Sequence, residues 1–150
     1  MWSFIDVVAA GVPLAIFLVR LANFINGELF GRESDAPWAM VFPDGGELPR
    51  HPSQLYEAGL EGIVLFIIVR IVTHRYHRLA TTGFVSGVFC AGYGVARTIS
   101  EFFREPDIQI GFLAGGLTMG MLLSIPMIFF GIGLIVWSVR RKPVSAAAGE

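Results

Sequence analysis

The chain has 150 residues, enough for one domain; 54% are hydrophobic and only 15% charged, where soluble domains carry roughly 25% charge. Eleven basic against twelve acidic residues leave a net charge of −1, which excludes the polybasic surface that nucleic acid demands. The single cysteine, Cys90, excludes an internal disulfide and a thiolate metal centre, so neither a metal nor a cofactor is expected.

So large an apolar excess predicts an all-α integral membrane protein, residues 1–150 forming one transmembrane domain. Asp6 stands near the N-terminus where a signal peptide carries bases. The first span is uncharged over 7–19, and its apolar pattern continues past Arg20 to Phe24. Asn26-Gly27 then signals a turn. The second span, 53–72, starts after Pro52, with Ser53 and Gln54 read as capping residues and Tyr56 as an interface anchor. It carries Glu57 and Glu61 in its first half, a like-charge pair one turn apart that demands arginines from other spans or a proton. The third span runs over 79–96 and on to Ile99; Gly83, Gly87, Gly92 and Gly94 in it suit close helix packing. The fourth covers 117–139, with Pro126 inside it.

About four transmembrane helices are therefore expected. Arg70, Arg75 and Arg78 with Arg140, Arg141 and Lys142 outnumber Arg32, Arg50 and Arg104, which makes the 140–150 tail cytoplasmic. Ten of the twelve acidic residues lie at or near the opposite ends of the spans, together with Arg20 and Arg97. Charge set into apolar helices marks a functional cavity, here on the extracytoplasmic side.

Three constellations carry that cavity. Tyr93, Arg97, Glu101 and Arg104 fall at about 0°, 40°, 80° and 20° on a helix, a polar stripe with more positive than negative charge. An Arg97–Glu101 pair that merely neutralises itself is the plain reading; a guanidinium site for phosphate is the functional one, and the surplus of positive charge favours it. Arg20 with Asn23 one turn on forms the second, and Glu57 with Glu61 the third. His51 faces outward as a base without an orienting acid nearby in sequence; His74 and His77 belong to a basic inner loop. Cys90 reads as a small buried hydrophobe, and Trp2, Trp38 and Trp137 as interface or packing residues.

The segments Arg20-x-x-Asn23-Phe24-Ile25-Asn26-Gly27-Glu28-x-x-Gly31, Arg50-His51-Pro52-Ser53-Gln54-Leu55-Tyr56-Glu57 and Tyr93-Gly94-x-x-Arg97-x-x-x-Glu101-Phe102-Phe103-Arg104 stand in order along the chain. In them the sequence resembles the bacterial phosphatidylglycerol–prolipoprotein diacylglyceryl transferases. The resemblance implies an inner-membrane enzyme whose partners are phosphatidylglycerol, the lipobox segment of a prolipoprotein and membrane lipids. It would move a diacylglyceryl group to the lipobox cysteine sulfur and release glycerol phosphate. It further implies catalytic roles for Arg20, Tyr93, Arg97 and Glu101, and phosphatidylglycerol binding by Arg20, Asn23, Asn26, Glu28, Gly31, Arg97 and Arg104; His51, Glu57 and Glu61 are expected as support from the reading of the residues themselves.

Such enzymes also carry a Tyr-His-Gly-Gly motif, with a histidine implicated in catalysis, in N-terminal spans that have no match here. The expectation is therefore a fragment, a chain completed by another, or an inactive relative. Two rivals are a non-catalytic module that binds phospholipid or a partner, and a small channel or transporter; the crowding of charge at one end speaks against a conducting path.

Overall fold

The computed structural model describes residues 2–76, 81–105 and 118–140, and among these every regular element is helical, with three isolated β-bridges in the connections. Helix α1 (Trp2–Asn26) is followed by a long connection, then by α2 (Ser53–Glu57), a π-helical segment (Ala58–Val64) and α3 (Leu65–His74), which run on as one rod. Helices α4 (Phe84–Glu101) and α5 (Met119–Arg140) complete the order. The Phe4–Asn26 part of α1 and Met119–Arg140 are long and apolar enough to cross a membrane. The expected 140–150 tail falls, apart from Arg140, outside the described residues.

The starts and stops have local causes. Helix α1 runs beyond the expected 7–24 at both ends and stops before Gly27, whose φ of +71° ends it. Pro13 is accommodated inside it. Helix α4 begins later than the expected residue 79, because Gly83 occupies the N-cap with a left-handed φ of 84°. It stops at Glu101, where the chain turns through Phe102 and Phe103, so Arg104 leaves the helical stripe on which the spacing placed it. At the start of α5 the Met121 N–H donates to Thr118 Oγ1 at 3.3 Å.

Packing inverts the usual order of a soluble protein. Only a few apolar side chains (Ala9, Leu65, Val69, Val85) form a buried cluster, while Ile25 and Phe129 are 75% and 70% exposed. Buried instead are Asp6, Ser53, Gln54, Glu57, Glu61, Ser100 and Glu101. Helices close on one another through missing side chains, as the glycine-rich third span suggested. A Cβ on Gly87 would lie 2.9 Å from the Gly131 carbonyl oxygen, and one on Gly62 would lie 2.7 Å from Phe17 Cβ.

The connection between α1 and α2 is not a slack loop. Gly31 N–H donates to the His51 carbonyl, His51 N–H to the Arg32 carbonyl, and Arg32 N–H to the Phe103 carbonyl, which ties it to the end of α4. Ser53 and Gln54 do not cap α2 as expected; their side chains donate outward to the Leu29 and Glu28 carbonyls at 3.0 and 2.6 Å. Those bonds hold Leu29 at a φ of 57°, a left-handed conformation that disfavours a branched side chain.

At the other end of the bundle, Asp6 of α1 supplies from outside the cap that Gly83 lacks. Its fully buried carboxylate accepts the Gly83 N–H at 2.7 Å, the Ser86 N–H at 2.8 Å and the Ser86 hydroxyl at 2.6 Å. Replacing Asp6 with Ala strands three buried donors, so Asp6→Ala is expected to lower stability by about 3 kcal/mol or more. Asp6→Asn, which keeps an acceptor oxygen, should cost visibly less; thermal unfolding of both variants in detergent checks the order.

Candidate functional site

Five ionisable side chains from three directions meet where α1, the start of the second rod and α4 approach each other. Gly62 permits the approach, because it lets the π-helical segment lie against the Phe17 backbone one turn before Arg20. The wider π turn keeps Glu57 and Glu61 on one face, and such local widening is frequent at functional sites. Both carboxylates are essentially inaccessible and face inward.

Glu57 is the junction. Its Oε2 lies 3.0 Å from Arg20 Nε, and its Oε1 accepts from Arg97 Nη1 at 2.9 Å. Glu61 lies beside the same two cations, at 3.4 Å from Arg20 Nη2 and 3.8 Å from Arg97 Nη1. Glu101 closes the chain at 3.0 Å from Arg97 Nη2. The arginines of other helices therefore answer the like-charge pair, and the Arg97–Glu101 pair is one link of a larger network. Three carboxylates against two guanidiniums also reverse the positive surplus read from the α4 stripe; the five side chains formally sum to −1.

The network has hydrogen-bonding capacity to spare. Arg20 Nη1 and Arg97 Nε meet no acceptor among the described residues, and both side chains remain 15% exposed. Glu61 Oε1 and the neighbouring Ser100 hydroxyl are buried without a hydrogen-bond partner among the described residues. Free guanidinium donors beside unfilled carboxylate and hydroxyl groups suit a ligand that has both an anionic oxygen and hydroxyl groups.

The other expected positions spread around this centre. Tyr93 lies one turn before Arg97 on α4, half-buried and stacked on Phe89. Asn23 is one turn beyond Arg20, and its carbonyl accepts the Glu28 N–H at 2.9 Å; Asn26 and Glu28 are exposed at the end of α1. Gly31 pairs with Arg104 across an isolated bridge, in a space where a Cβ would meet the Phe103 and His51 carbonyls. The Arg104 carbonyl accepts Arg32 Nε at 2.8 Å. His51 is in this layer too, its Nδ1 3.0 Å from the Tyr56 hydroxyl.

Three contributors escaped the sequence reading. Arg50, read as a topology signal and as the first residue of the second motif but given no site role, donates to the Gly45 carbonyl at 2.8 Å, pairs with Glu105 at 2.8 Å and Glu33 at 3.3 Å, and lies over the Phe30 ring. Gly120 lies in the first turn of α5, and a Cβ there would stand 2.5 Å from Glu101 Oε2. Trp38 donates to the Tyr56 hydroxyl at 2.7 Å, so neither acts as a simple interface anchor. Their partners are remote in sequence, and no local spacing signals them.

Comparison with known proteins yields one family and a consistent set of relatives. The family model described as prolipoprotein diacylglyceryl transferase matches residues 1–137. Proteins of Brucella ovis, Brucella abortus and Brucella suis, each named phosphatidylglycerol–prolipoprotein diacylglyceryl transferase, are 56% identical over 147 residues. The aligned region is 97% of this chain and 51% of each relative, so the chain spans about half the length of the curated relatives it matches.

Two substitutions separate the roles of charge and space. Glu57→Leu leaves Arg20 and Arg97 facing each other without their shared carboxylate and should cost about 3–5 kcal/mol, the usual result of breaking a buried pair from one side. Gly120→Ala presses only on the carboxyl end of the Glu101 side chain. It is expected to shift stability far less while displacing that carboxylate from Arg97, which infrared bands of the labelled carboxylate report.

Proposed function

The chain belongs to the prolipoprotein diacylglyceryl transferase family, and we propose that it transfers a diacylglyceryl group from phosphatidylglycerol to the lipobox cysteine thiol of a prolipoprotein. The observation that carries this reading is the Arg20–Glu57–Arg97 junction, in which carboxylates hold two arginines from separate helices while guanidinium donors stay unused. All four helical rods cross the bacterial inner membrane in this reading, with the charged network toward the extracytoplasmic side and the C-terminus in the cytoplasm.

The chemistry assigns the groups. A thiolate sulfur attacks the glyceryl carbon that bears the phosphate; a C–S bond forms, the C–O bond breaks, and glycerol phosphate leaves with the bonding pair. The phosphodiester carries one negative charge and the departing monoester carries more. Arg20 and Arg97 on its oxygens therefore stabilise the transition state more than the bound lipid. Glu57 and Glu61 fix the guanidiniums before substrate arrives, which removes the reorganisation cost at the moment of reaction. Glu101 orients Arg97, Ser100 offers its hydroxyl to the glycerol hydroxyls of the headgroup, and Tyr93 borders the same region. Asn23, Asn26, Glu28, Gly31 and Arg104 shape the entrance around the headgroup.

The test is transfer to a lipobox peptide in phosphatidylglycerol liposomes, read by mass spectrometry. It is run with this chain and with the chain joined to the N-terminal half of a Brucella relative. Arg97→Ala is expected to reduce transfer by at least about 100-fold, as loss of a preorganised donor to developing charge does. Arg97→Lys should retain part of it, because it keeps the charge and loses the fork. Unchanged transfer in Arg97→Ala would overturn the assignment.

A further inference from the structure

The rod that carries Glu57 and Glu61 has a second face. Tyr56, Gly59, Leu60, Ile63 and Val64 line a cavity of about 540 Å³ with Trp38, His51 and Phe103, within the roughly 300–1,000 Å³ typical of ligand sites. Its walls are almost wholly apolar, and the few polar atoms are locked into one chain of hydrogen bonds. Trp38 Nε1, which can only donate, bonds the Tyr56 oxygen at 2.7 Å. The hydroxyl of Tyr56 has one proton, and His51 Nδ1 is 3.0 Å away. With Nδ1 as acceptor, every member of the chain is satisfied. With a proton on Nδ1, the Tyr56 proton has no acceptor among the described residues and forgoes the intramolecular bond. The Phe103 ring meets both His51 and Tyr56 edge to face, at 5.5 and 5.2 Å between centroids, and holds the two rings in this relation.

We propose that the cavity binds a fatty-acyl glycerol ester, and that Tyr56 and Trp38 are positioning residues that hold His51 as the Nε2–H tautomer, whose free N–H meets the ester carbonyl. Nε2 has no protein partner among the described residues, which leaves it to a ligand. A neutral donor set in apolar walls complements an acyl ester, an uncharged acceptor attached to a hydrocarbon chain. A phosphate would be poorly solvated there, and Arg50, the cation nearest in sequence, is engaged by Glu33 and Glu105. The tautomer also removes His51 as a thiol base: Nδ1 accepts from Tyr56 and Nε2 holds the proton. The inference rests on the reading that phosphatidylglycerol is the lipid substrate.

The experiment is nitrogen NMR of the full chain labelled at histidine, in a maltoside detergent without ester groups. The His51 signals are identified by their loss in His51→Gln. The expected result is one neutral tautomer with Nδ1 unprotonated, mixing with the other in Tyr56→Phe and, to a lesser degree, in Trp38→Phe. Adding ester-linked phosphatidylglycerol should move the Nε2–H resonance, and ether-linked phosphatidylglycerol, which lacks the carbonyls, should not. A dominant Nδ1–H form, or an unaltered tautomer in both variants, overturns the positioning role. No response, or the same response to both lipids, overturns the ester site. Transfer is measured in parallel on the chain joined to the N-terminal half of a Brucella relative: an ester response without transfer sinks only the transferase reading, and transfer without an ester response sinks only this site.

Discussion

Two carboxylates on one face of an apolar rod set the terms for everything else in this molecule. Glu57 and Glu61 lie a single turn apart, both fully buried, where water does not screen them. Only opposite charge brought by other helices stabilises them there, and α1 and α4 each deliver one arginine to that spot. The contact is mutual, because each arginine in an apolar helix needs the carboxylates as much as they need it. Helix placement and site geometry are therefore one problem. The helices pack as they do because these charges must meet, and the close approach at Gly62 lets them.

The rest of the architecture secures the two ends of that arrangement. At one end, the connection after α1 folds back over the bundle, pinned by Arg50 and by the strained turn at Leu29 that Ser53 and Gln54 hold. At the other, Asp6 caps α4 from a neighbouring helix and ties their relative height. Between these anchors most of the large apolar side chains point outward, so side-chain packing is thin and polar contacts set the register. That balance suits a lipid surround, in which burying apolar groups between helices gains little over exposing them to hydrocarbon.

The same rod separates two chemistries by angle. Glu57 and Glu61 face the arginines, while Tyr56, Gly59, Leu60 and Ile63 face an apolar cavity. A phospholipid has the same division in its own structure, an anionic headgroup joined to acyl esters.

Much of this was legible in the residues. The apolar runs announced the helices, since periodicity and breakers act locally: Gly83, Pro52 and Gly27 lie within a few residues of the ends they set. The charges in those runs marked the place where the structure is least like a lipid-facing bundle, and the like-charge pair at 57 and 61 demanded distant partners without naming them. Who answers whom was decided in three dimensions. Arg20 and Arg97 are 77 positions apart along the chain and share one carboxylate, and the Arg97–Glu101 spacing suggested a self-contained pair instead. The Gly31–Arg104 bridge, the Asp6 cap, the Arg50–Glu105 pair and the Trp38–Tyr56 bond are likewise contacts between segments remote in sequence. The sequence by itself determined which residues had to be helical and which charges needed partners, because propensity and desolvation act on each residue where it stands. Only the tertiary structure decided the pairing, because hydrogen bonds and ion pairs depend on distances that chain order does not specify.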